Sequence, residues 1–500
     1  MSDFITYLNE ILEYSTKTKG ELASELGINR TTFSKYLSGQ RFMSKDVFFH
    51  LLEMLHLTAI QKKKLGELFN KEICGDYWND FCYTKESLTN YGTITYLKKF
   101  SSMYNKMATK VIYKPVKDGY YKNRILITNI IKHVINIETQ AESPLIYFYF
   151  NFQSYELVDF LEQNYMVYRD KIDMKGHILF SMKKSDRHNN FMKLMRMVPL
   201  MFSGYNVYCS FFETDSESQT VLYPYYIITG TYVVMISNDF NSALVQSDKN
   251  VISAYIGRFR ESISSCDSFK CREISSFETP NIVYSLMQEQ AKQYYLSCIN
   301  GAFCVAPFLT AEHYNYIFND LDISDEEKNN IITLSLSSYN YFLQNPKTII
   351  CAPTEAIIEF VKTGEESPIT DTFGKPLRLD DRIYLLEKVR AFIENGGKYC
   401  LYDGAEFPHN HMNINLFSDY DIVFYYNDKK KNNGNFFLLS VPNGLLEELS
   451  DFIEYFQKTS YVLTAEQSIA EIDKAIAYGL KLKNSEAVSY THLTLPTNAR

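Results

Sequence analysis

The sequence predicts a multidomain fold: an all-α N-terminal domain of five helices, a helical connector, and an α/β or α+β C-terminal region containing two units of similar order. Three observations carry this expectation. Apolar residues before position 70 recur at helical spacing, and each run has its own start signal. From residue 141, short runs rich in β-branched and aromatic residues alternate with helical ones. The order of those runs recurs after about 190 to 200 residues, a distance that fits duplication of a domain and not a solenoid of short repeats.

Composition sets the outer bounds. Of 500 residues, 46% are apolar and 22% charged, a globular balance that excludes fibrous and disordered classes and accommodates about three domains. No run approaches the ~18 apolar residues of a membrane span, and Met1-Ser2-Asp3-Phe4 lacks the basic-then-apolar profile of a secretory signal, so a cytoplasmic location is expected, without a membrane partner. The nine cysteines, at 74, 82, 209, 266, 271, 298, 304, 351 and 400, include no Cys-x-x-Cys and read as reduced thiols. Charge is uneven beneath the net of -8: residues 1–140 carry 20 Lys and Arg against 14 Asp and Glu, and the remainder 31 against 45. A basic front end favours a polyanionic partner, and an acidic body repels one. Forty tyrosines and 35 phenylalanines read as core filling ahead of a base-stacking surface.

Residues 1–70 divide into five short helices. Thr18-Lys19-Gly20-Glu21 and Thr58-Ala59-Ile60-Gln61 fit the capping box, Asn29 and Ser44 are N-caps, and Gly39 sits where a helix ends in a left-handed residue. Residues 71–140 form a basic helical connector with nine Lys/Arg and one acid between Lys98 and Lys132, which reads first as a solvated face and second as a further phosphate-contacting surface. An α/β unit spans 141–280, with strands at Leu145–Phe150, Val207–Ser210, Tyr225–Thr229 and Tyr232–Ser237 and a helix at Val251–Ile263. A helical linker covers 281–344, and a second α/β unit covers 345–483. In the expected match, Thr348–Cys351 pairs with Leu145–Phe150, Lys398–Leu401 with Val207–Cys209, and Ile422–Tyr426 and Phe436–Val441 with the two later strands. Residues 484–500 read as a disordered or artefactual tail, because Ser489–Thr497 has no periodicity and resembles translated adapter sequence; the natural C-terminus is expected to differ.

The functional signal lies in Thr18–Arg41. Ala23 is small where two helices would cross, Gly27 can take the positive φ of a tight turn, and Leu22, Leu26, Ile28, Phe33 and Tyr36 fall where they would pack the pair. With this spacing the stretch resembles, without a gap, the helix-turn-helix of the Cro/C1-type (XRE-like) transcriptional regulator family; the resemblance covers about 70 residues. It implies double-stranded DNA as partner, with the second helix in the major groove. Carried over, Asn29, Arg30, Thr31, Ser34 and Lys35 face base edges, and Lys19, Thr32, Ser38, Gln40 and Arg41 hold phosphates. Across residues 19–45 five cations oppose two acids, a modest excess, so a homodimer reading two half-sites is expected. The chain departs from the family at Lys19, where a glutamine is usual, at Gly20, and at Met43, often a proline; these bear on phosphate contact and not on the fold.

The body shows no phosphate loop, zinc helix or nucleophile elbow, so no catalytic residue, metal or cofactor is assigned and the protein reads as a non-enzyme. Asp403, Glu406, His409 and His411 read as a polar turn ahead of a metal site, and Cys266 with Cys271 and Cys298 with Cys304 are weak redox pairs. The reading is a sequence-specific DNA-binding transcriptional regulator whose body dimerises or senses an effector, small molecule or protein. The alternatives are an interaction or assembly protein whose head does not bind DNA, and an enzyme with a DNA-targeting head.

Overall fold

The computed structural model describes residues 2–92, 114–150, 155–168, 170–202, 205, 207–212, 222–275, 277–288, 294–365, 375–405, 412–428, 433–442 and 444–493. Five helices open the chain: α1 (Asp3–Glu13), α2 (Lys19–Glu25), α3 (Arg30–Leu37), α4 (Lys45–Met54) and α5 (Ala59–Cys74). Local chemistry starts each one. Ser2, Thr18, Asn29, Ser44 and Thr58 all accept a hydrogen bond from an otherwise orphan backbone N–H, and both expected capping boxes form. Leu8, Leu22, Ala23, Phe33, Phe48, Leu51, Leu65 and Phe69 make one core, with the Phe48 and Phe69 rings stacked at 3.9 Å. Helix α6 (Trp78–Gly92) leads out of this head.

Two mixed sheets follow. The first has the order β1-β7-β6-β5-β2-β3-β4-β8, where β1 is Gly119–Lys122, β2 Leu145–Phe150, β3 Asp173–Ser181, β4 Val207–Phe212, β5 Tyr225–Thr229, β6 Val233–Ile236, β7 Ser242–Gln246 and β8 Asp267–Ser268. The second has the order β12-β11-β10-β13-β14-β15-β9, with β9 Lys270–Ile274, β10 Ser297–Ile299, β11 Ile349–Pro353, β12 Tyr399–Tyr402, β13 Met412–Leu416, β14 Asp421–Asp428 and β15 Asn433–Ser440. Strands β2, β3 and β4 are mutually parallel, as are β10, β11 and β12, and the remaining pairings are antiparallel. Apart from the two-residue β8 that flanks β4, the order 4-3-2-5-6-7-1 of the first sheet becomes 12-11-10-13-14-15-9 in the second, displaced by eight strands.

Helices α7 (Arg124–Glu138), α8 (Tyr155–Tyr168) and α9 (Arg187–Phe202) bring side chains to one core with the first sheet, and α10 (Lys249–Ser264) covers its other face. Around the second sheet lie α11 (Thr279–Met287), α12 (Ala311–Phe318), α13 (Asp325–Gln344), α14 (Glu355–Thr363), α15 (Leu379–Glu394) and α17 (Ala465–Leu493), which share one core. Helix α16 (Glu447–Phe456) closes the opposite face through Leu449, Phe452, Ile453 and Phe456, in the core that also holds α9. The two sheets are thus joined by a continuous apolar layer, not a flexible linker.

Several expected boundaries are corrected. Residues 281–344 are no linker: they carry β10, a central strand of the second sheet. Its three residues, Ser297-Cys298-Ile299, are too short to show periodicity. The stretch 71–140 is not wholly helical, since β1 pairs with β7 and begins the first unit near residue 119. The boundary at 280 cuts through α11 and leaves β9 on the wrong side, because β9 pairs with β15. In the strand match, β11 holds the place of β3 and not of β2, and β14 and β15 hold the places of β6 and β7 and not of β5 and β6, while β12 and β4 hold the same place as expected. The segment from residue 484 is helical to Leu493, as propagation from an established helix adds one hydrogen bond for each residue fixed.

Candidate nucleic-acid interface

The two helices of the motif are set by short-range geometry. Gly27 takes φ +67° in the turn between α2 and α3, and Asn29 Oδ1 accepts from the Thr32 N–H at 2.6 Å to start α3. At the other end of α3, Asn9 Nδ2 donates to the Leu37 carbonyl at 3.0 Å and ties that helix to α1. A Cβ at Gly39, which has φ +75°, would meet Ile5 Cδ1 at 3.2 Å, so the C-terminal turn of α3 needs glycine. Phe33, Tyr36 and Leu37 anchor the inner face. The outer face is therefore held rigidly by the core beneath it.

Lys19, Asn29, Arg30, Thr31, Ser34, Lys35, Ser38, Gln40 and Arg41 are all exposed, and Thr32 is half-buried. Among the described residues, none covers the outward surface of α3. Gly20 leaves the Arg30 guanidinium room to lie against α2, where a Cβ would stand 3.6 Å from it. Arg41 rests over the Tyr36 ring at 5.7 Å, and Ser38 Oγ donates to the Lys35 carbonyl at 3.2 Å. Asn29 already spends its side-chain oxygen on the helix cap, which leaves its NH2 as the group to reach outward. Met43, in the position often occupied by proline, is buried in the head core.

Lys45 belongs elsewhere. Its ammonium donates to the carbonyls of Gln457 at 2.8 Å and Leu463 at 3.1 Å, in the turn between α16 and α17. Burial pushes its pKa down. The cation excess on the exposed motif is accordingly Lys19, Arg30, Lys35 and Arg41 against Glu21 and Glu25, and Glu25 is itself paired with Lys17 at 2.6 Å. Further contacts seat the head on the second unit: the Ser460 N–H donates to Asn70 Oδ1 at 2.6 Å, and Gln467 Nε2 to Glu53 at 3.3 Å. Helix α6 adds ring stacking of Phe81 on Phe452 at 4.9 Å, and the turn before it adds stacking of Tyr77 on Tyr455 at 4.8 Å. None of this was readable from spacing, because the partners lie about 400 residues apart.

The remaining candidates separate. Of the basic run, residues 93–113 lie outside the described residues, whereas Lys114, Lys117, Lys122 and Arg124 are exposed and Lys132 lies over the Phe160 ring. In the polar turn, residues 406–411 lie outside the described residues, and Asp403 Oδ1 accepts from the Ala405 N–H at 2.9 Å. Neither Cys266 with Cys271 nor Cys298 with Cys304 forms a disulfide, and Cys266 Sγ donates to the Ser262 carbonyl at 2.7 Å. A cluster that sequence reading missed gathers Tyr77, Asp80, Arg187, His188 and Glu448 where α6, α9 and α16 meet. Burial works to raise the Glu448 pKa, but hydrogen bonds from His188 and Tyr77 hold it below the ordinary carboxylate value.

The chain is 43% identical over 54 residues to a protein of Methanococcoides burtonii described as "Putative HTH-type transcriptional regulatory protein"; the match spans 11% of this chain and 17% of that one. Among solved structures, TrmBL2, an archaeal chromatin protein with a novel mode of DNA binding, aligns at 13% identity and a TM-score of 0.22, over 52% of this chain and 91% of its own. A polyphosphate kinase from Porphyromonas gingivalis aligns at 9% identity and a TM-score of 0.22, over 74% and 56%. No protein-family profile matches the chain. Among the described residues, no helix is long and apolar enough to cross a membrane.

Proposed function

We propose that this protein is a sequence-specific DNA-binding transcriptional regulator of the Cro/C1 (XRE-like) type. Helix α3 enters the major groove, and the two-unit body dimerises or senses an effector. The observation that carries the reading is the outward face of α3: Arg30, Thr31, Ser34, Lys35 and Ser38 are exposed, polar or basic, and include no acid. Arg30 is the residue assigned to base discrimination, through a bidentate contact to guanine. Lys19, Thr32, Ser38, Gln40 and Arg41 set register on the phosphates, with Asn29, Thr31, Ser34 and Lys35 completing the base-facing set.

One such head covers little DNA, which favours a dimer on two half-sites about one helical turn apart. The matching strand orders support a body made by duplication of one unit. The deciding experiment is selection of bound sequences from random duplex DNA with the full chain. A palindromic consensus, with affinity falling steeply as salt rises, is the expected result. Enrichment of no sequence, together with salt-independent binding, overturns the reading in favour of an interaction or assembly protein.

A further inference from the structure

We propose that Asp80, His188 and Glu448 form a site for one first-row divalent cation, with Zn2+ the best-matched ion, that clamps the helix leaving the head to both units of the body. The proposal stands independently of DNA binding. Each ligand comes from a different element: Asp80 from α6, His188 from the first turn of α9 and Glu448 from the first turn of α16. One nitrogen and two carboxylate oxygens lie within 4.8 Å of one another. His188 Nδ1 is 3.3 Å from Glu448 Oε1 and 4.0 Å from Asp80 Oδ1. Atoms that share a tetrahedral ion at ~2.1 Å lie about 3.4 Å apart. The first spacing already fits. The second needs a small inward movement of Asp80, whose side chain is 42% exposed and able to make it.

The surroundings are those of a ligand set held in place. Glu448 is only 2% exposed, and its carboxylate is oriented by the Tyr77 hydroxyl, which donates to Oε1 at 2.8 Å, and by Arg187 Nε, 3.4 Å from Oε2. Arg187 pairs with Glu447 and Asp451 as well as with Glu448, so its single positive charge is shared among three carboxylates. Two carboxylates therefore face a single imidazole. An imidazole nitrogen beside two hard oxygens suits Zn2+, Mn2+ or Co2+ better than Mg2+ or Ca2+, which favour oxygen throughout. Water on the Asp80 side completes the coordination.

The test uses full-length protein dialysed against chelator and then titrated with Co2+ as an optical probe and with ZnCl2 by calorimetry. One ion per chain, a visible Co2+ absorption band displaced by Zn2+, and a rise in melting temperature are expected. Asp80→Asn, at a half-exposed position where folding is safe, should abolish the band, and His188→Gln should do the same. Tyr77→Phe, which loosens only the orientation of Glu448, should weaken binding about 10-fold. Absence of stoichiometric binding, or binding unchanged by Asp80→Asn, overturns the proposal and leaves the trio as a hydrogen-bonded polar cluster.

Discussion

At the scale of single residues, two side chains have consequences that can be measured directly. Arg30 projects from an otherwise neutral first turn of α3, so Arg30→Ala should cost ~1 to 3 kcal/mol of discrimination at one base position and leave the fold intact. Competition between consensus and single-base variants would show it; equal loss for every sequence would instead make Arg30 a phosphate contact. His177 on β3 is 3% exposed, between the hydroxyls of Ser210 at 2.8 Å and Ser262 at 3.1 Å, and burial lowers its pKa to about 4. An unfolded histidine takes up its proton near 6.5, so this group's contribution is complete above about pH 6.5 and is lost as pH falls towards 4, by at most about 3 kcal/mol. His177→Gln, which keeps hydrogen-bonding groups but cannot ionise, should flatten that slope in urea unfolding followed across the window. The outward polar set of α3 was legible in the sequence because a helix face follows from spacing. The cluster around Glu448 was not, because its members come from three separate elements.

At the scale of elements, helix starts were legible and strand partners were not. Thr18, Asn29, Ser44 and Thr58 act on N–H groups three residues away, and all four cap as expected. Strand β13, Met412-Asn413-Ile414-Asn415-Leu416, alternates cleanly, but its place is decided by pairing with β10 and β14. Pairing is a long-range event, and three-residue strands such as β10 carry almost no local signal. Two predictions belong here. Gly20→Ala should stabilise the head by ~0.5 to 1 kcal/mol, since glycine weakens a helix and the new Cβ would meet Arg30 at an ordinary 3.6 Å; a lower melting temperature would refute it. Lys45→Met keeps the aliphatic stem but removes two charge-assisted hydrogen bonds, at a cost of about 1 to 3 kcal/mol. Faster hydrogen exchange around residues 457–463 would report the loss.

At the scale of the whole molecule, the head and the two sheets form one connected body, because α6, α9 and α16 share a core. Phe81 is fully buried within it, so Phe81→Ala should cost ~3 to 5 kcal/mol. Calorimetry should then resolve the head and body as separate transitions where the parent chain melts in one; a single transition in the variant would show that the other contacts suffice. The bond from Lys45 to the Gln457 carbonyl spans 412 residues of chain. On a ribosome, domains fold as units and the N-terminal one folds first, at ~5 to 20 residues per second. The head would thus be finished some tens of seconds before its seat emerges. A nascent chain stalled short of the α16–α17 turn would carry a folded but undocked head, and docking would then report that synthesis of the body has reached its last elements.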